Sequence, residues 1–292
     1  MKTITEPITG TLEVPGAVLT YDVRRNESST EPVLLLIGLP MGAAGFGSLV
    51  GHFTDRTVVT YDPRGAERSR RTDTSTKSSL EEHAEDLHRL ITELAIGPVD
   101  LFGSSGGAVS GLALVAHHPE DVRTLVAHEP PVAEVLPDRK EALAAVMNIY
   151  ETYQRSGFGP AMGKFIGIVS YKGPIPADFA DQPQPDPAMF GMPTEDDGSR
   201  DDVMFEQVLR QVNLYQPDFD ALRAASTTIV IAAGEESEGI LASRAAHVIA
   251  DRLGTKVVLF PGDHGGFMGG EYGQPPGKPK EFAAALRQVL DA

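Results

Sequence analysis

The 292-residue chain contains no cysteine. That absence removes disulfides, thiolate metal sites and cysteine nucleophiles together. Basic residues are scarce: 25 Lys and Arg stand against 41 Asp and Glu, a net charge of −16. Such a surface repels nucleic acid and anionic membranes, so neither is expected as a partner. No long Lys/Arg run overturns this. Long apolar runs are also missing. The most apolar stretch, Val33 to Val50, is broken by Pro40 and several glycines, too interrupted for a membrane span. The start, Met1 to Pro7, has no apolar signal core. The expectation is a cytoplasmic protein, and the lack of cysteine agrees with a reducing compartment.

What is present is an alternation of strands and helices. The length allows one large domain, or a main domain with a smaller insertion. Leu12 to Val14 and Ala17 to Arg24, joined at Pro15-Gly16, predict a hairpin. Continuous apolar runs follow at Pro32–Ile37, Thr57–Tyr61, Val99–Phe102, Arg123–His128, Thr227–Ala232 and Lys256–Phe260. Strands buried on both faces read this way, which predicts a mostly parallel sheet covered by helices. Leu80, Ala84, Leu87, Ile91 and Leu94 mark one helix face, and Ser79 with Glu82 forms a capping-box start. Ile240–Leu253 and Glu281–Leu290 are amphipathic in the same way.

One segment breaks the rhythm. Between Pro131 and Ala225 no buried parallel-type strand is evident. Leu143, Val146, Ile149, Tyr150 and Tyr153 predict a helix. Gly173 to Pro193, rich in Pro, Asp and Gly, predicts a long loop, and Val203 to Leu214 a further helix. The division expected is a core of residues 1–131 and 226–292 with an inserted helical cap, residues 132–225.

The sharpest local signal is Gly103-Ser104-Ser105-Gly106-Gly107, a G-x-S-x-G pattern between a strand and an apolar helix. A nucleophile in such a tight turn sits at a strained backbone angle, so its neighbours two residues away must lack bulk. Ser105 is the expected nucleophile, and the Gly106 N–H faces a developing oxyanion. Choosing Ser104 instead puts Phe102 where a glycine belongs. The plainer reading is a Gly/Ser loop that cradles a phosphate at a helix start. Of eight histidines, His52, His83, His88, His117, His118 and His247 fall on helices or helix ends. His264 differs: it follows the last predicted strand in a glycine-rich loop, at the carboxyl edge where doubly wound sheets gather their sites. Imidazole suits a general base because it titrates near working pH.

Over nearly its whole length the chain resembles the α/β-hydrolase superfamily. Gly38-Leu39-Pro40-Met41-Gly42 resembles that family's H-G-x-P loop, with Ile37 in place of histidine. Tyr61-Asp62-Pro63-Arg64-Gly65 with Ser69 resembles its D-x-R-G-x-G-x-S stretch, with Glu67 at the second glycine. The nucleophile turn and Pro261-Gly262-Asp263-His264 follow in order. The resemblance implies a mostly parallel eight-stranded sheet with helices on both faces and a helical cap. It also implies Leu39 N–H as the second oxyanion donor, with Met41 nearby.

The acid departs from the family pattern. Ser237, within Gly234-Glu235-Glu236-Ser237-Glu238, stands where the usual Asp would align. Either Glu235 or Glu236 serves, or the acid is Glu129 after the strand that follows the nucleophile helix. The second arrangement is similar to fungal lactonases of the superfamily. Glu129, held between a buried strand and two prolines, is favoured over the mobile glutamates.

Tyr150, Tyr153, Phe158, Met162, Phe165, Met189, Phe190 and Met192 in the cap are candidates for an adaptable apolar pocket, against the alternative that they are core. The expected activity is cofactor-free and metal-free hydrolysis of a small apolar ester or lactone through an acyl-enzyme, by a monomer or homodimer. A serine nucleophile argues against the dehalogenases and soluble epoxide hydrolases of this fold, which use Asp. The alternatives are a C–C bond hydrolase or cofactor-free perhydrolase on the same residues, and a hydrolase-fold receptor with negligible turnover.

Overall fold

The computed structural model describes residues 6–75 and 77–292, Phe190 by its backbone alone. Most of the Met1–Pro7 reading and the Phe190 side chain therefore lie outside the described residues. The hairpin forms as β1 (Ile8–Val14) and β2 (Ala17–Arg24). The apolar runs become β3 (Leu34–Ile37), β4 (Val58–Asp62), β6 (Val99–Ser104), β7 (Val122–His128), β8 (Thr228–Gly234) and β9 (Val258–Phe260). The order in the sheet is β1-β2-β4-β3-β6-β7-β8-β9. Pairing is parallel from β4 to β9 and antiparallel around β2. A ninth strand, β5 (Arg70–Arg71), pairs with β2. The expected eight strands omitted it because two residues carry no periodicity.

Side chains alternate between two cores, as the pleat requires. Leu35, Leu101, Leu125 and Ile231 face one cluster, with Leu87 of α2 (Leu80–Leu94), Leu112 of α3 (Gly106–His117) and Ala245 of α8 (Leu241–Leu253). Leu34, Leu36, Phe102 and Val126 face the other, with Leu49 of α1 (Gly47–Val50) and Phe282 of α9 (Pro279–Leu290). Both faces are thus covered, which is why the central strands read as unbroken apolar runs. The capping box is present: Glu82 N–H donates to Ser79 Oγ at 3.2 Å and Ser79 N–H to Glu82 Oε2 at 3.0 Å. No helix among the described residues is long and apolar enough to cross a membrane.

Between β7 and β8 the chain adds no strand to the sheet. It forms α4 (Arg139–Ser156), α5 (Phe158–Ser170), a π-helical turn (Val203–Val208), α6 (Leu209–Asn213) and α7 (Phe219–Ala224). Asp138 ties this segment to the core through an ion pair with Arg244 of α8, and within the segment it accepts Ile175 N–H at 2.7 Å. Residues 173–193 are a loop with two short 3-10 turns, pinned by buried Ile175 and Phe179.

Two glycines decide how closely α3 approaches the sheet. A Cβ on Gly103 would lie 2.7 Å from the Gly107 carbonyl oxygen, and one on Gly107 would lie 2.3 Å from the Ile37 carbonyl oxygen. Both obstacles are backbone, so no rotamer change relieves them. We expect Gly107→Ala to cost about 1–3 kcal/mol of stability through overpacking, read as a lower urea midpoint. An unchanged midpoint would mean that α3 sits more loosely on β3 than described.

Candidate active site

The turn from β6 to α3 holds Ser105 at φ 57° and ψ −126°, a positive φ that costs a side-chain-bearing residue and persists only where surroundings enforce it. Here Ser105 N–H donates to the His128 carbonyl at 2.9 Å, locking the turn to the end of β7. Ser104 points elsewhere. It is buried, and its Oγ lies 3.2 Å from His128 Nδ1. Burial pushes the His128 imidazole down to about 4, so it is neutral. His128 escaped notice in the sequence because it closes a strand rather than opening a loop.

The residue after His128 is Glu129, also at positive φ (49°) and with no solvent exposure. Its N–H donates to the Ala232 carbonyl at 2.9 Å. Oε1 accepts the Gly234 N–H at 2.8 Å, and Oε2 lies 2.5 Å from His264 Nδ1. Burial works to raise the Glu129 carboxyl, but the His264 hydrogen bond, the neighbouring imidazoles and the Gly234 N–H outweigh it and hold the group at about 2. Burial likewise works to lower His264, and the Glu129 hydrogen bond and charge, helped by Asp263, overturn that and raise it above the ordinary histidine value. The His264 side chain keeps 41 % of its exposure, so one ring edge is open while Nδ1 is fixed. Nε2 is left as the nitrogen available to a reacting group.

The loop carrying His264 reaches this position because Gly234 has no Cβ, which would lie 2.6 Å from the Gly262 carbonyl oxygen. Glu235 and Glu236, the other acid candidates, are exposed, and Glu236 pairs with Lys278 at 2.5 Å. Ser237 is buried with its hydroxyl unpartnered among the described residues.

Leu39 and Gly106 meet closely: a Cβ on Gly106 would lie 2.5 Å from the Leu39 carbonyl oxygen. Asp62 organises the loop after Leu39 by accepting Ala43 N–H at 2.8 Å, and holds Arg68 through its N–H and Nε. Arg64 is bound by both oxygens of buried Asp86. Glu67 adopts φ 50°, a left-handed conformation that explains why glycine suits this position. Met41 packs against Gly38 and Gly45 instead of the cavity.

Ser105, Gly106, Leu39 and His264 open on one cavity of about 220 Å³. Among the described aromatic and Met side chains proposed for its wall, only Phe165 lines it. Tyr153 is core, stacked on Phe205, and Phe158 meets the same ring edge-on. Tyr150 lies under the Arg210 guanidinium, Met162 packs on the core, and Met189 is exposed. Met192 is half-buried outside the lining. The wall is instead largely aliphatic, with Val146, Ile168, Val208, Val212 and Leu241. These residues were ordinary helix-face positions in the sequence, with no signal to set them apart.

Three other groups lie within reach of one ion: His88, His118 and Asp121. The two imidazoles stack face to face, 3.9 Å apart and 9° from parallel, so their in-plane lone pairs run side by side instead of converging. Each ring also holds a carboxylate, His88 that of Asp121 and His118 that of Glu85.

A family model described as alpha/beta hydrolase fold matches residues 31–190. The chain is 30% identical over 290 residues to uncharacterized hydrolase YraK of Bacillus subtilis, covering 97% of this chain and 96% of that protein. It is 26% identical over 260 residues to 2-(acetamidomethylene)succinate hydrolase of Mesorhizobium japonicum, covering 84% and 85%. The enol-lactonase from Burkholderia xenovorans is similar in structure, with a TM-score of 0.57 at 15% identity over 97% of this chain and 100% of that one. At that identity the likeness speaks for the fold alone.

The opposed influences on His264 yield a direct test. In the native chain its ring should titrate above about 6.5. In Glu129→Gln the hydrogen-bonded charge is gone while burial remains, so the value should fall below that of the native chain. Histidine NMR across pH reads both. A ring that titrates alike in the two proteins would mean that Glu129 does not govern it.

Proposed function

Because the chain belongs to the alpha/beta hydrolase family, we propose that it is a serine hydrolase that cleaves a small apolar carboxylic ester or lactone through an acyl-enzyme on Ser105. The observation that carries this reading is the 2.5 Å contact of His264 Nδ1 with Glu129 beside a cavity that His264 shares with Ser105. His264 Nε2 takes the proton as Ser105 Oγ attacks the ester carbonyl, and Glu129 stabilises the imidazolium that results. The oxyanion is received by the Gly106 and Leu39 N–H groups. His264 then returns the proton to the leaving alkoxide. Water, activated by the same imidazole, releases the acid and restores Ser105. Residues 132–225 act as a cap over the core of residues 1–131 and 226–292, supplying Val146, Phe165, Ile168 and Val208 to the substrate wall.

Charge narrows the substrate. Among the described residues no Lys or Arg lines the cavity, and the chain carries −16 overall, so anionic substrates meet repulsion with no counter-ion there. This sets the proposed substrate apart from the succinate derivative in the name of the Mesorhizobium japonicum relative.

Ser105 should be labelled by a fluorophosphonate probe, with the adduct mapped by mass spectrometry. An adduct on Ser104 would overturn the nucleophile assignment. His264→Ala should lower kcat by about three orders of magnitude or more, and Glu129→Gln by about two to four. Glu235→Gln and Glu236→Gln should each cost less than about tenfold. A crippled Glu235→Gln or Glu236→Gln beside an active Glu129→Gln would move the acid to β8. The base works only when neutral, so kcat/KM should fall as pH drops through the raised His264 value, an acid limb centred above about 6.5. A limb centred well below that would sink His264 as the base.

A further inference from the structure

One polar side chain interrupts the apolar wall. Apart from Ser105 and His264, every described residue lining the cavity is apolar or glycine except Asn213, the last residue of α6. Asn213 is 6 % exposed. Its Nδ2 donates to the Leu209 carbonyl one turn back, at 2.8 Å. That bond fixes the amide the right way round, since a carbonyl accepts only from the N–H end. Oδ1 is therefore the opposite head of the side chain, and it has no protein partner among the described residues. Oδ1 keeps accessible surface, so water in the cavity can hydrate it, and a substrate that displaces that water must replace its hydrogen bond.

The position of α6 says which part of a substrate meets this oxygen. A Cβ on Gly106 would lie 3.2 Å from Val212 Cγ2, so α6 rests directly on the residue after Ser105. Asn213, the next residue, lines the same cavity as Ser105, Gly106 and His264. The space, about 220 Å³, is at the small end for ligand pockets. A short substrate held at Ser105 therefore shares the cavity with Asn213.

We propose that Asn213 is a specificity-determining residue, selecting uncharged esters or lactones that carry a hydroxyl or amide N–H a few bonds from the scissile carbonyl. The inference rests on the reading of Ser105 as nucleophile. Oδ1 accepts from the substrate's O–H or N–H while the aliphatic wall takes its hydrocarbon. A substrate that offers only an ether or carbonyl oxygen there places acceptor against acceptor and is disfavoured. Discrimination of this kind is strong because the analogue leaves a buried polar group unpaired.

The test is hydrolysis of methyl 2-hydroxyhexanoate, 3-hydroxyhexanoate, 3-methoxyhexanoate and hexanoate by the full chain, followed by pH-stat titration. At least one hydroxy ester should exceed both hexanoate and the methoxy ester in kcat/KM by about tenfold or more. In Asn213→Leu the order should invert, with hexanoate preferred. The ratio is read within each protein, so a poorly folded variant does not disguise the result, and the native chain alone decides if the variant fails to fold. Fluorophosphonate labelling of Ser105 with hexanoate hydrolysed as well as every hydroxy ester overturns the role of Asn213 and leaves the serine hydrolase standing. No turnover of any ester, with no adduct on Ser105, overturns both.

Discussion

The Glu129 carboxylate is the constraint around which the rest of the site is arranged. It is fully buried, and a buried carboxylate survives as an anion only if its oxygens are satisfied. One oxygen takes the Gly234 N–H at the end of β8, and the other takes His264 from the loop after β9. A single side chain thereby fastens three successive strand ends. Its backbone neighbour His128 receives the Ser105 N–H, so the turn that carries Ser105 is fastened to the same point. Removing the side chain would loosen the imidazole and leave the Gly234 N–H without its acceptor.

Glycine makes this convergence possible. Gly234 lets the His264 loop press on β8, Gly106 lets the Leu39 backbone close on the nucleophile turn, and Gly103 and Gly107 bring α3 onto the sheet. Each contact is backbone against backbone, with nothing free to rotate aside. The β3–α1 loop is held from beneath by Asp62, whose carboxylate accepts Ala43 N–H and pairs with Arg68. The site is therefore preorganised by rigid elements rather than by a flexible loop.

The cavity shows a second division of labour. The core strands contribute the polar chemistry, Ser105 and His264, while the segment between β7 and β8 contributes most of the aliphatic wall and the one amide, Asn213. Under the proposed function, reaction type and substrate choice would thus rest on different parts of the chain.

The sequence by itself determined the features that are local. Continuous apolar runs marked the strands because both sheet faces are covered. Ser79 and Glu82 marked the start of α2 because a capping box spans four residues. Ser105 stood out because its strain is resolved by glycines two positions away. Tertiary structure alone decided the rest. Glu129 and His264 are 135 positions apart; the buried strand and two prolines around Glu129 favoured it over Glu235 and Glu236, but no local pattern showed what its carboxylate meets. The pleat and the order of strand ends put one carboxylate beneath the imidazole and left the other two in solvent. Likewise, periodicity put Tyr153 on a helix face but did not show what that face meets, and Phe165 was marked only as an aromatic of the segment. The packing of α4, α5 and α6 sent Tyr153 into the core and Phe165 to the cavity, because a side chain's environment depends on what folds against it.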